Sequence, residues 1–446
     1  MTIGLELVDA ALIAVRDGVR VASSPGVALR DPQGLLVGEA AVAAARLQPV
    51  LATDRFWAEL SSDPQAAAND QAFSHADLAH AQLAQLWNSI AEPGEQVVLA
   101  VPGAMRLQQL GIALGIARSI VMPVAGVVDA AVAACAGLPA RAKVLHLDIH
   151  LHQAVLTQMQ GASLLRRVRV EIAPRVGQKA LHGAWAQLIS EAMVRSTRFD
   201  PLHRAASEQQ LHLRLPGWLD RLAAQDAIDI SIDADERTFT ATLRRDQFAL
   251  AAEAYYTQLI DLVHSGRHAG EATTLALSSR AAALPALRDR LAALSDLEIL
   301  ALPDTAPAAA AAASIGEIGP ADPPALVTAL QRKQAVAASR EKRRAGAARP
   351  THVILNGRAQ AIDERPLVVG LGEGPGRRLA IGGSAAGISH SHCTLELRDG
   401  VALIRDHSRY GSFVNGEKVD GEAVLEAGDR LRLGTPGVVL DLVAVA

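Results

Sequence analysis

What this sequence lacks sets its first limits. It has only two cysteines, Cys135 and Cys393, in 446 residues. They fall in different expected domains, so neither a disulfide framework nor a zinc centre can be built from them, and the usage fits a reducing cytosol. It also lacks an excess of either charge. The 43 basic and 47 acidic residues leave a net −4, which gives no electrostatic case for nucleic acid as the main partner. Long apolar runs are missing too. The most apolar segment, Leu110–Leu138, is interrupted by Arg118 and Asp129, so it is expected to be buried helix and strand and not a membrane span. The opening MTIGLELVDA has no basic stretch ahead of a clean apolar run, and no signal peptide is expected. Internal repeats are not evident. The expectation is a cytoplasmic protein with neither membrane nor nucleic acid as partner.

What is present is apolar material: half of the residues are hydrophobic, enough for a large core in two or three domains. The clearest pattern lies near the end. Cys393–Leu397 and Val401–Arg405 are β-rich runs separated by Asp399-Gly400, and Ser408–Gly411 leads into Ser412–Val414. Asn415-Gly416 is a strong hairpin signal because both residues tolerate positive φ. Further short strands are expected at His352–Leu355, Leu367–Val369, Arg430–Leu433 and Val438–Val443, with turns at Asn356-Gly357, Gly428-Asp429 and Thr435–Gly437. Many short strands at even spacing predict an all-β sandwich, with loops gathered at its ends.

Three motifs in this region fall in a telling order: Ile388-Ser389-x-x-His392, then Asp406-x-Ser408-x-x-Gly411-Ser412-Phe413-Val414-Asn415-Gly416, then Leu425-x-x-Gly428-Asp429-x-Leu431-x-Leu433-Gly434. The order and spacing resemble a forkhead-associated (FHA) domain over roughly the last hundred residues. The resemblance implies a reader of phosphothreonine peptides, in which a serine hydroxyl, backbone N–H groups and an arginine fork hold the phosphate. It also marks departures. The family usually has Gly-Arg before the serine loop, and here the pair is Gly370-Leu371. Ser389 is kept but is followed by His390, and Tyr410 stands where asparagine often precedes the glycine of the second loop. Arg377, Arg378 and Arg409 are the candidates to bring positive charge to the same rim, so the expected phosphopeptide residues are Ser389, His390, Arg377, Arg378, Arg409 and Tyr410. The other expectation is a sandwich that recognises its protein partner without phosphate.

Upstream, strand and helix alternate. Strands are expected at Ile3–Leu7, Leu12–Arg16, Val19–Ala22, Val97–Val101, Ser119–Pro123, Val144–Leu147, Ala154–Gln158, Leu164–Val170 and Thr274–Leu277. Helices are expected at Leu107–Arg118, Val127–Ala136, Lys179–Met193, Gln247–His264 and Leu284–Leu294. The alternation predicts an α/β domain with helices covering a mixed sheet. The cadence of IGLELVDAALIAVRDG, VVLAVPGAMRLQQLGIALGIARSIVMPVAGVVDAAVAAC and VLHLDIHLHQAVL resembles the nucleotide-binding domain of the Hsp70-like members of the actin superfamily, over roughly residues 1–302.

That resemblance implies ATP between two lobes, its phosphates cradled by two glycine-rich hairpin turns with a carboxylate at each for Mg²⁺. Where the family has Asp-x-Gly-Thr-Thr, this chain reads Glu6-Leu7-Val8-Asp9-Ala10. Where it has Asp-x-Gly-Gly-Gly-Thr, the chain reads Asp148-Ile149-His150-Leu151-His152-Gln153. The adenosine-facing Gly-Gly-Ser-Ser becomes Leu277-Ser278-Ser279-Arg280, and the loop that offers a catalytic glutamate has Gly126, with Asp129 nearby. The degenerate nucleotide positions are therefore Glu6, Asp9, Asp148, Ser278 and Ser279. Bulky residues replace glycines wherever backbone should meet phosphate, so a pseudo-ATPase without cofactor is expected, with binding of ATP and Mg²⁺ as the alternative. His146, Asp148, His150 and His152 recur at period two, and on a continuous strand they would share a face and could hold a metal. The resemblance makes this stretch a turn, so histidines filling the hairpin, without metal, are expected.

Between the domains, Pro303–Pro324 with its Ala308–Ala313 run is expected to be a linker. Ala325–Arg344 has helix-forming composition and ends in the basic cluster Arg340, Lys342, Arg343 and Arg344, expected to be a solvated tether. The domains are thus 1–302, 303–349 and 350–446. Together these readings predict a bacterial, non-catalytic adaptor or scaffold: an FHA-like sandwich binding a protein partner, threonine-phosphorylated in one version, with the degenerate front module as a second docking surface. The alternative is an ATP-binding Hsp70-like chaperone or ATPase directed by its FHA-like domain.

Overall fold

The computed structural model describes residues 2–31, 34–65, 73–138, 143–267, 272–319, 323–332, 349–355, 358–372, 374–381, 387–398, 400–414, 417–419, 421–434 and 437–445. The chain divides into two compact units, Met1–Ala335 and Val336–Ala446. The expected turns at Asn356-Gly357, Asn415-Gly416 and Thr435-Pro436, and the basic cluster Arg340–Arg344, lie outside the described residues.

The first unit is built on two six-stranded sheets; five strands of each share one topology, while the sixth adds at opposite ends. In the first sheet, Thr2–Val8, Ala11–Arg16 and Val19–Pro25 form an antiparallel meander. Gln96–Val101 and then Val124–Asp129 add in parallel to its first strand. In the second sheet, Lys143–Ile149, Gln153–Gln160 and Leu164–Pro174 form the meander, and Thr273–Leu277 and Leu297–Ala301 add in parallel in the same way. The sequence has no repeat, yet the architecture is duplicated, because apolar alternation suffices to specify a meander. Helices complete each layer. His75–Ile90 and Leu107–Ser119 bury Leu83, Trp87, Leu110 and Ala113 with the first sheet. Gln178–Thr197, Ala205–Ala224 and Glu253–Ser265 bury Trp185, Leu215 and Tyr256 with the second.

Several expected boundaries shift. Val124–Asp129 is the strand, not Ser119–Pro123, and the helix after it begins only at Ala130, because the Asp129 carboxylate accepts the Val132 N–H and caps the helix. The long helix expected from Gln247 breaks at Ala252 into Arg245–Ala251 and Glu253–Ser265. The hairpin Ala227–Ala234 with Arg237–Arg244 and the helix before it were not expected from the sequence pattern. Among the described residues no helix is long and apolar enough to cross a membrane.

The largest correction concerns the expected linker. Ala306–Ala313 is a helix whose Pro307, Ala308 and Ala311 are buried. Leu326–Val327 extends the first sheet and Ala329–Gln331 extends the second, where a helix was expected. The first unit therefore runs some thirty residues beyond 302. Its alanines are not there for want of anything to bury. A Cβ built at Gly4 would lie 1.8 Å from the Ala308 carbonyl oxygen, so helix and strand touch backbone to backbone, and small side chains are the condition for that approach.

The second unit is a sandwich of two sheets. One runs in the order Arg358–Ala361, His352–Leu355, Val438–Val443, Arg430–Leu433, Ser412–Val414, Glu417–Lys418; the other in the order Arg377–Ala380, Leu367–Gly370, Cys393–Arg398, Val401–Asp406, Glu422–Val424. Alternate residues of the central strands, among them Val353, Leu367, Val369, Leu395, Ile404, Leu431, Leu433, Leu440 and Leu442, meet in one core, as period two requires.

Gly4→Ala should destabilise the first unit by about 3 kcal/mol, as overpacking at a rigid backbone contact does. All four tryptophans (Trp57, Trp87, Trp185 and Trp218) lie in this unit, so denaturant unfolding of the full chain followed by tryptophan fluorescence reads the loss directly.

Candidate functional site

Two places carry the residues singled out from sequence. The first is where the two meander hairpins of the first unit meet. Glu6 and Asp148 stand on the first strand of each meander and are almost fully buried, at 1% and 6% exposure. The guanidinium of Arg280, just after the strand Thr273–Leu277, lies between them. Its Nε donates to Asp148 Oδ1 at 3.0 Å, and its Nη2 donates to Asp148 Oδ2 at 2.8 Å and to Glu6 Oε1 at 2.6 Å. His150 brings Nε2 within 3.3 Å of Asp148 Oδ2 and Nδ1 within 4.0 Å of Asp9 Oδ1. Asp9 Oδ1 in turn accepts the Leu151 N–H at 2.8 Å. The turn of the first hairpin thus holds a backbone amide of the second. Ser278 caps the short helix Ser279–Ala282 by accepting the Ala281 N–H.

The charges respond to this packing. Burial opposes ionisation of Asp148, but Arg280 and then His150 outweigh it and hold the carboxyl well below the ordinary range. Burial pushes the Glu6 carboxyl up, with Arg280 pulling against it. Burial opposes the imidazolium of His150, yet the Asp148 hydrogen bond and the charges of Asp148 and Asp9 raise its pKa above the ordinary value. A void of about 30 Å³ lies beside Asp9, Trp57, Met105, His150 and Gln153, enough for a water molecule, and a smaller one of about 10 Å³ beside His146, Ser278 and Arg280.

The four period-two residues do not share a face. Alternation ends with the strand at Ile149, and His152 turns away, bonding the Asp54 carbonyl at 3.0 Å and its carboxylate at 3.2 Å. Lys179 completes that group at 2.6 Å, and Asp54, with burial opposed by His152 and Lys179, sits at about 2. Asp129 is fully buried, paired with Arg167 at 2.7 Å as well as capping its helix. Gly126 packs against Ile318. Arg280 is the residue that sequence reasoning passed over. The signal was present: two carboxylates on buried strands require a counter-charge.

The second place is the loop rim of the sandwich. His392 is fully buried and organises it. Its Nδ1 accepts the Ser389 N–H at 3.0 Å, which fixes the proton on Nε2, and Nε2–H donates to the Gly411 carbonyl at 3.1 Å. One ring therefore pins both loops. The serine loop is also zipped to the end of the strand Leu367–Gly370: Leu371 N–H donates to Ser389 O and Gly372 N–H to His390 O. A Cβ at Gly370 would come within 2.4 Å of the His390 carbonyl oxygen, so glycine is required there. Across the rim, the Arg409 N–H donates to Ser389 Oγ at 3.2 Å, while Ser408 Oγ accepts the Gly411 N–H and Asp406 accepts from Ser408 and Ser412.

The expected phosphopeptide residues divide. Ser389 is half-buried, and His390, Arg409 and Tyr410 are exposed, on two loops that hydrogen-bond one another. Arg378 donates through Nη1 to Gly372 O at 2.8 Å and through Nη2 to Ser391 Oγ at 2.9 Å, so it joins them. Arg377 does not. Neighbours on a strand point to opposite faces, and its guanidinium binds Asp363 at 2.6 Å and the Arg365 carbonyl.

Removing the bridge should show its weight. Arg280→Met leaves Glu6 and Asp148 buried without their cation, and a loss on the order of 3–5 kcal/mol in first-unit stability is expected, read by the same fluorescence-detected unfolding. Much of it should return in the triple variant Glu6→Gln, Asp148→Asn, Arg280→Met.

In comparison with known proteins, no curated protein matches the chain. Residues 369–434 match the model of the FHA domain family. The second unit of this chain therefore carries an FHA domain, with Ser389, His392 and Gly411 inside the matched residues.

Proposed function

We propose that this chain is a non-catalytic adaptor whose FHA domain recognises a threonine-phosphorylated protein, with the first unit a degenerate Hsp70- or actin-like module kept as a second docking surface. The observation that carries the binding half is the family match over 369–434 together with the geometry of the rim. Ser389 Oγ takes the Arg409 N–H on a lone pair, so its own proton is free to donate to a phosphate oxygen at the half-exposed lip. Specificity for phosphate follows from donors fixed by His392 before any ligand arrives.

The pseudo-ATPase half is supported by the two sheets of like topology, whose facing hairpins stand where a nucleotide's phosphates would be cradled in the actin superfamily. Arg280 and His150 occupy the ground between the carboxylates that Mg²⁺ would need, and the Leu151 amide, an available phosphate donor in such a turn, is already bonded to Asp9. Opening that space requires breaking buried charge pairs.

A lysate pull-down with the full chain, with and without phosphatase treatment, tests the binding half. Phosphatase should remove the main partner, and Ser389→Ala should weaken its capture about tenfold, the loss of one charge-assisted hydrogen bond. Partners retained equally after treatment would rule the phosphate reading out.

A further inference from the structure

The rim needs a cation, and the position where the family resemblance places arginine is Leu371, an apolar side chain about one-third exposed. Neither of two neighbouring arginines has its guanidinium held at the rim among the described contacts. Arg377 is committed to Asp363 on the other face, and Arg409 enters the rim through its backbone N–H, with its side chain exposed. Arg378 differs. It comes from the strand Arg377–Ala380, which pairs in parallel with Leu367–Gly370, so its backbone is held by a sheet and not by a loop. Its guanidinium bonds Gly372, the residue whose own N–H holds His390, and Ser391, two residues beyond Ser389.

The electrostatics of Arg378 point to a missing anion. Its two described acceptors, a carbonyl and a hydroxyl, are neutral. Among the described residues no carboxylate lies within ion-pair distance, and its Nε is buried without a hydrogen-bond partner. Three other half-buried arginines end on carboxylates, Arg16 on Glu95, Arg167 on Asp129 and Arg377 on Asp363, while Arg30, whose Nε is also buried without a partner, lies over the Phe73 ring. A partly desolvated guanidinium held only by neutral oxygens is completed by an anion that brings several acceptors at once, and a phosphate monoester does so.

We propose that Arg378 supplies the phosphate-binding charge that residue 371 does not, so that a phosphothreonine phosphate is held by the Arg378 guanidinium together with the Ser389 and Ser391 hydroxyls. This inference rests on the phosphothreonine reading above and adds the source of the charge. A strand-borne arginine is positioned before binding, and Leu371 becomes free to line the rim as an apolar contact for the peptide.

The test is fluorescence anisotropy of the full chain with two degenerate peptide pools that differ only in a central phosphothreonine or threonine. The wild type should prefer the phosphorylated pool. Arg378→Met should lower that affinity about tenfold or more, Arg377→Met should leave it within about twofold, and Arg378→Lys should retain most of it. Leu371→Arg introduced into Arg378→Met should restore binding, which separates lost charge from lost fold. Wild-type affinity in Arg378→Met, or equal losses in Arg378→Lys and Arg378→Met, overturns the assignment and leaves the phosphothreonine reading standing. A wild type indifferent to phosphate overturns both.

Discussion

The first unit depends on one guanidinium shared by two carboxylates. Arg280 reaches Asp148 with two hydrogen bonds and Glu6 with a third, and all three side chains are nearly removed from water. Each carboxylate stands on the leading strand of a different sheet, so the bridge fixes how the two meanders face each other. Desolvating three charges is costly, and only the multiplicity of the bonds offsets it. His150 and the Asp9–Leu151 bond extend the same junction to the hairpin turns. The acids at positions 6, 9 and 148 therefore serve the protein itself: they are the counter-charges of an internal cluster.

This accounts for acids standing beside bulky side chains in the two hairpins. A turn that must admit phosphate needs bare backbone, whereas a turn that closes a junction needs side chains with charge to trade. His150 and Arg280 are the side chains this chain supplies. A void of about 30 Å³ persists beside Asp9 and Trp57, with room for water. The same economy of backbone contact recurs where Ala308 rests on Gly4. In the FHA domain one neutral ring performs the comparable task, since His392 holds the serine loop and the second loop at fixed separation.

Legibility in the sequence followed locality. The FHA rim was readable because Ser389, His392, Asp406, Ser408 and Gly411 make their bonds within about twenty residues of one another. The choice between Arg377 and Arg378 was not, because it depends on which face of a four-residue strand meets the loop. The meanders of the first unit were visible as alternating runs, but Arg280 and Glu6 are 274 positions apart, and no periodicity links them. The alanine run misled for a different reason. Composition alone does not distinguish a segment with nothing to bury from one pressed so close to a sheet that only small residues fit; the partner glycine, 304 positions upstream of Ala308, decides it.

The central claim is that the junction of the two hairpins is closed by its own ions. Isothermal titration of the full chain with Mg-ATP measures this most directly. The account predicts no saturable heat up to millimolar nucleotide; saturable binding at micromolar concentration, with magnesium required, would contradict it.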